Sequence, residues 1–159
     1  MKMKMKAMLT AAFTLATGVA NAGEWTYSGT DTSGTISHNE TPWVLNVTAS
    51  GTELTITSVR TRATLFSALP LGDAVSGSYT ITAIASASSY SGGVFYGSVS
   101  SDSGYFIRNL TLPPTLKTIG NYAFYYCRYL TGKLIIPDSV TSIGNWAFAY
   151  CSGWSRCRG

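Results

Sequence analysis

A β-rich solenoid of short strands and short helical turns, preceded by a small N-terminal β-module, is the fold class this sequence predicts. Three observations point to it. LTLPPTLKTIGNYAFYYC, from Leu110 to Cys127, returns 24 positions later as LIIPDSVTSIGNWAFAYC, from Leu134 to Cys151, with nine of eighteen residues identical. Upstream, short runs rich in β-branched and aromatic residues are separated by Gly, Ser and Thr. Helix signals are lacking after Pro70.

The first 22 residues stand apart from the fold. MKMKMK is a positive n-region, Ala7 to Val19 is apolar, and Ala20-Asn21-Ala22 is a small-x-small cleavage site before Gly23. This is the pattern of a secretory signal peptide. The apolar run is too short to span a bilayer comfortably, and Gly23 in place of Cys gives no lipid anchor. Without Lys2, Lys4 and Lys6, eight basic residues face seven acidic ones, so the mature chain has a net charge of +1. A nucleic-acid footprint is absent, and no later segment is apolar enough for a membrane helix.

Residues 23–65 are expected to form a β-module or N-terminal cap. EWTYS from Glu24, GTISH from Gly34, WVLNVT from Trp43 and ELTITSV from Glu53 are its strands, the last two joined by ASGT as a hairpin connection. One short helix is expected over Thr61 to Leu69, before Pro70. Residues 66–109 then hold a degenerate first repeat with a loop insertion. TITAI from Thr80 resembles the LKTIG step, GGVFYG from Gly92 resembles NYAFYYC, and Leu69 with Leu71 is its inward pair. The stretch from Ala85 to Gly104, with eight Ser and four Gly, is the loop-rich part.

Residues 110–154 hold the clear repeats, whose period marks a leucine-rich solenoid. Each unit cannot bury its apolar edge alone and must stack on a neighbour at roughly 4.8 Å, so equivalent residues become ladders. Leu110 with Leu112 and Leu134 with Ile136 alternate inward along short strands, leaving Thr111 and Ile135 outward. Pro113 and Pro137 end those strands. Ile119 and Ile143 form a second inward ladder. Asn121 and Asn145 are placed to cap the short helical turns that follow, in which Ala123 with Phe124 and Ala147 with Phe148 face the core. Trp154 takes the place that Leu130 holds one repeat earlier. Residues 155–159 are an irregular tail without the polar cap that closes most arrays, which predicts a truncated or frame-shifted member of a longer one.

At these residues a resemblance emerges. The pattern IP-x-S-V-T-x-I-G-x-x-A-F-x-x-C, from Ile136 to Cys151, resembles the leucine-rich repeat of the BspA type, found in bacterial surface proteins and in secreted or surface families of some protists. Ten positions are fixed in order, and the copy from Leu112 to Cys127 keeps six of them. It departs at Leu112, Thr115, Leu116 and Lys117. The resemblance implies a protein that is secreted or displayed on the cell surface, with adhesion to host or matrix proteins or to neighbouring cells as its activity; an extracellular protein or glycan is the expected partner.

No catalytic set stands beside that reading. His38 is the only histidine, in the context ISHNET, and reads as a solvated strand or loop residue. The seven carboxylates are scattered, which excludes paired acid–base chemistry and a calcium loop, and no cofactor or metal site is expected. Cys127 and Cys151 share a repeat position, as a ladder of buried thiols or as a disulfide, while Cys157 has no counterpart. Asn39, Asn46 and Asn109 lie in N-x-T sequons.

The candidate binding surface comprises Thr111 and Ile135 on the strand row with Tyr125, Tyr129, Tyr150 and Trp154 beside them. Tyr and Trp make good anchors for peptides and glycans, although the same rings would serve as packing between repeats. A structural or nonfunctional fragment of a larger surface protein is the alternative to an interaction role, and a hydrolase is disfavoured.

Overall fold

The computed structural model describes residues 23–60, 67–96 and 107–153. The expected leader over 1–22, the tail over 155–159, Trp154 and Cys157 lie outside these residues.

The described residues form a β-rich fold with a mixed sheet. Strands β1 (Trp25–Gly29), β2 (Ser33–His38), β3 (Val44–Ser50) and β4 (Glu53–Val59) make an antiparallel meander. Ala49 and Ser50 of the expected ASGT connection prolong β3, so the hairpin closes on Gly51 and Thr52, with Gly51 at φ 62°. Parallel pairing then continues the same sheet. β4 pairs with β6 (Thr80–Ile84), β6 with β8 (Thr118–Ile119) and β8 with β9 (Ser142–Ile143). A second, two-stranded parallel sheet joins β5 (Ser67–Pro70) to β7 (Ile107–Thr111).

Register aligns the apolar residues into rows. Ile56 lies opposite Ile84, Ile84 opposite Ile119, and Ile119 opposite Ile143. On the other sheet Leu69 lies opposite Leu110, and Leu69, Leu71, Leu110 and Leu112 are all buried. One hydrophobic core runs from Trp25 to Cys151, so the meander and the repeats share it.

Several expectations are corrected. Ser67 to Leu69, expected to end a short helix, belong to strand β5; residues 61–66 lie outside the described set. Pro70 disfavours the helical region for the residue before it, and pairing with β7 supplies the alternative backbone bonds. Leu134 to Ile136 form no strand, and Ile136 and Ile143, both expected to face inward, are 37% and 50% exposed. Burial in a stacked array needs a neighbour on each side, and no described segment lies beyond this unit.

The turns after Asn121 and Asn145 are not helical. Tyr122, Tyr126, Trp146 and Tyr150 adopt left-handed φ values of 57°, 65°, 60° and 60°, which interrupt any helix. Neither Asn caps its own turn. The Asn145 amide instead donates to Asn121 Oδ1 at 2.7 Å, and the Asn121 amide donates to Ser86 Oγ at 3.0 Å, so these side chains staple one unit to the next. Backbone bonds run alongside: the Tyr122, Phe124 and Tyr126 amides donate to Asn145, Ala147 and Ala149 carbonyls. Gly120 permits this closeness, because a β-carbon there would lie 2.3 Å from the Ala85 carbonyl atoms. Asn121→Ala is expected to cost about 1 kcal/mol through loss of its bond to Asn145, read as a lower urea midpoint.

Candidate functional site

Six tyrosines gather where the turns stack. The left-handed residues at Tyr122, Tyr126 and Tyr150 break the path of the turn, while Ala123, Phe124, Ala147 and the two cysteines between them are buried or half-buried in the core. Phe95, Phe124 and Phe148 form a parallel stack beneath, with ring centroids 4.8 and 5.1 Å apart and interplanar angles of 5° and 4°. Cys127 and Cys151 add a second inner row as thiols, donating to the carbonyls of Phe95 at 3.0 Å and Phe124 at 3.2 Å.

Tyr125 is the hub of the outer rings. Its centroid lies 5.3 Å from Tyr150, 5.6 Å from Tyr122, 5.8 Å from Tyr90, 6.1 Å from Tyr126 and 6.2 Å from Tyr96. Loss of hydration, reinforced by the neighbouring phenols of Tyr150, Tyr122, Tyr96 and Tyr90, pushes its hydroxyl above the ordinary phenol range. Tyr90 and Tyr150 are 56% and 58% exposed, so the cluster reaches solvent. The Arg128 guanidinium lies 3.8 Å over the Tyr126 ring, a cation–π contact at the edge of the cluster. The surface therefore combines large rigid rings, hydroxyl groups and a low cost of ordering, which suits recognition.

Of the residues singled out from sequence, Tyr125 and Tyr150 meet in this cluster, and Tyr129 is exposed nearby in the chain. Trp154 lies outside the described residues. Thr111 and Ile135 are exposed; Thr111 belongs to the two-stranded sheet, where its Oγ1 accepts from the Gly72 amide at 3.3 Å, and Ile135 lies in no strand. No contact among the described residues joins them to the tyrosines. Sequence reasoning missed Tyr90 and Tyr96. The signal was present in GGVFYG, because aligning it with NYAFYYC sets Phe95 on Phe124 and Tyr96 on Tyr125, as their rings stack.

A second surface faces away from the core along β6. Glu53, Thr80, Thr82, Thr115, Lys117, Ser139 and Thr141 line an open groove of about 500 Å³. Three of its hydroxyl protons are committed: Thr115 donates to the Ile81 carbonyl at 2.8 Å, Ser139 to Leu116 at 2.7 Å and Thr141 to Lys117 at 3.2 Å. Lys117 Nζ pairs with Glu53 at 2.5 Å, and this hydrogen bond holds the Glu53 carboxyl below its ordinary range. These groups bind the stacked units to one another.

His38 is corrected from a solvated to a buried residue, 7% exposed, edge-on to Trp25 and 3.0 Å from Asp73. No group of His, Cys, Asp and Glu among the described residues is arranged to hold a metal ion. No helix among them is long and apolar enough to cross a membrane.

Comparison with known proteins agrees with the repeat geometry. The family model described as a BspA type leucine rich repeat region, in six copies, matches residues 81–157. No curated protein and no solved structure matches the chain. The match runs from Ile81, on the strand that hands the meander over to parallel pairing, to Cys157, so this stretch of the chain is similar to BspA-type leucine-rich repeats.

Proposed function

We propose that this is a secreted or cell-surface protein whose leucine-rich repeats form a solenoid and mediate protein–protein interaction or adhesion. The observation that carries the reading is the cluster of six tyrosines, assembled from separate repeat units and open to solvent at Tyr90 and Tyr150. A stacked scaffold presents an extended surface, and aromatic rings are the side chains that most often dominate binding energy there. Thr111 on β7 and the exposed Ile135 one repeat later are a second candidate face on the same scaffold. Its partner is an extracellular protein or glycan, and no catalytic role is assigned.

The test is a binding assay of the chain from Gly23 to Gly159 against matrix proteins and glycans, with circular dichroism as the folding control. Replacing Tyr125 and Tyr150 together by alanine is expected to weaken attachment at least tenfold, on the scale of about 1.4 kcal/mol or more for anchor aromatics. Thr111→Glu with Ile135→Glu reports on the strand side separately. Unchanged binding by the tyrosine variant, with loss in the strand variant, would move the site to the strand row; unchanged binding in both would remove each face from the proposal.

A further inference from the structure

We propose that cleavage between Ala22 and Gly23 creates a site as well as removing a leader: the new α-ammonium of Gly23 seats on the Asp73 carboxylate and locks the N-terminal strand. This rests on the export reading above for the cleavage itself, and on geometry for the pair. In the cleavage step a secretory signal peptidase adds water across the Ala22–Gly23 peptide bond. Ala22 leaves with a carboxylate and Gly23 is left with an ammonium.

Gly23 sits directly on the His38–Asp73 pair. A β-carbon at this position would lie 2.4 Å from His38 Cε1, 2.5 Å from His38 Nε2 and 2.7 Å from Asp73 Oδ2, so any larger residue would have to displace the pair. Its nitrogen is two bonds from that point, which places it within about 5 Å of the carboxylate, close enough to pair after rotation of one Gly23 torsion. The residues beyond are already clamped. The Glu24 amide donates to Asn39 Oδ1 at 2.8 Å, the Trp25 amide to the Ala74 carbonyl at 2.9 Å and the Ser76 amide to the Trp25 carbonyl at 2.7 Å.

Among the described residues Asp73 has no Lys or Arg partner. The Glu40 amide donates to His38 Nδ1 at 3.2 Å, so His38 carries its proton on Nε2 and donates to Asp73 as a neutral ring. The Asp73 side chain is only 29% exposed. A partly buried carboxylate with one neutral donor is poorly compensated, and an ammonium at its contact point supplies the missing charge. Before cleavage the Gly23 nitrogen is an uncharged amide and cannot do so. Full stability of the strand end is thus reached only in the processed chain.

Two arms keep the pair and the cleavage separate. Export of the full-length chain followed by N-terminal sequencing should read Gly-Glu-Trp-Thr; any other start overturns the cleavage half. For the pair, chains trimmed in vitro to begin at Gly23 and at Ala22 are compared by thermal melting, with no export involved. The Gly23 chain is expected to melt higher by roughly 4 °C, and Asp73→Asn should abolish the difference. Equal melting of the two chains, or a difference that survives Asp73→Asn, overturns the pair. Should Asp73→Asn fail to fold, acetic anhydride labelling of the unaltered Gly23 chain decides: slower acetylation of the Gly23 amine in the folded than in the urea-unfolded chain supports the pair, and equal rates overturn it.

Discussion

Phe124→Ala is expected to destabilise the protein by about 3–5 kcal/mol, the cost of emptying a fully buried aromatic site. The ring is held on both faces, 4.8 Å from Phe95 and 5.1 Å from Phe148, so its removal breaks a continuous stack through three repeat units. Collapse around the gap is resisted by the backbone bonds that fix the turns above and below. Phe148→Ala should cost less, about 2 kcal/mol, because this ring is half-buried at the end of the stack. Urea unfolding of the two variants measures both values. Equal losses would mean that the second face of Phe148 is covered as well as that of Phe124.

Trp43→Ala carries the other large expected effect, again about 3–5 kcal/mol. Trp43 is fully buried, its Nε1–H donates to the Ala68 carbonyl at 2.8 Å, and its ring meets Phe95 edge-on at 6.5 Å. One side chain therefore ties the meander to strand β5 and to the phenylalanine stack. Trp43→Phe retains most of the apolar contact and loses the hydrogen bond, so its cost should fall to about 1–2 kcal/mol. A denaturant series separates the cases. If Trp43→Phe were as damaging as Trp43→Ala, the hydrogen bond to Ala68 would outweigh the packing, contrary to the geometry described.

Much of the repeat architecture was legible because it depends on local repetition. Ile119 and Ile143, Phe124 and Phe148, and Cys127 and Cys151 each share a position in two copies of one unit. Parallel stacking in register must then bring equals together. The strands of the meander were legible for a similar reason, since alternation of apolar and polar residues marks one buried face. The turns were less legible. Left-handed conformations at Tyr122 and Tyr126 carry no glycine signal, and the backbone amides of these residues bond to the next unit. The role of Asn121 was misread for that reason, as its partner lies 24 residues away instead of within its own turn.

By itself, the sequence determined the period, the identity of the stacked rows and the absence of a recognisable catalytic motif, because these properties reside in residue type and spacing. Only the tertiary structure decided which rings form a surface. Tyr96 joins Tyr125 because Phe95 enters the stack, as the match of GGVFYG to NYAFYYC allows, whereas Tyr90 lies outside that match and reaches Tyr125 only through packing. Tertiary structure also decided that Ile136 and Ile143 stay exposed and that His38 is buried. Burial is a property of neighbours on both sides, and His38 gains Trp25 and Asp73 only when distant strands close around it.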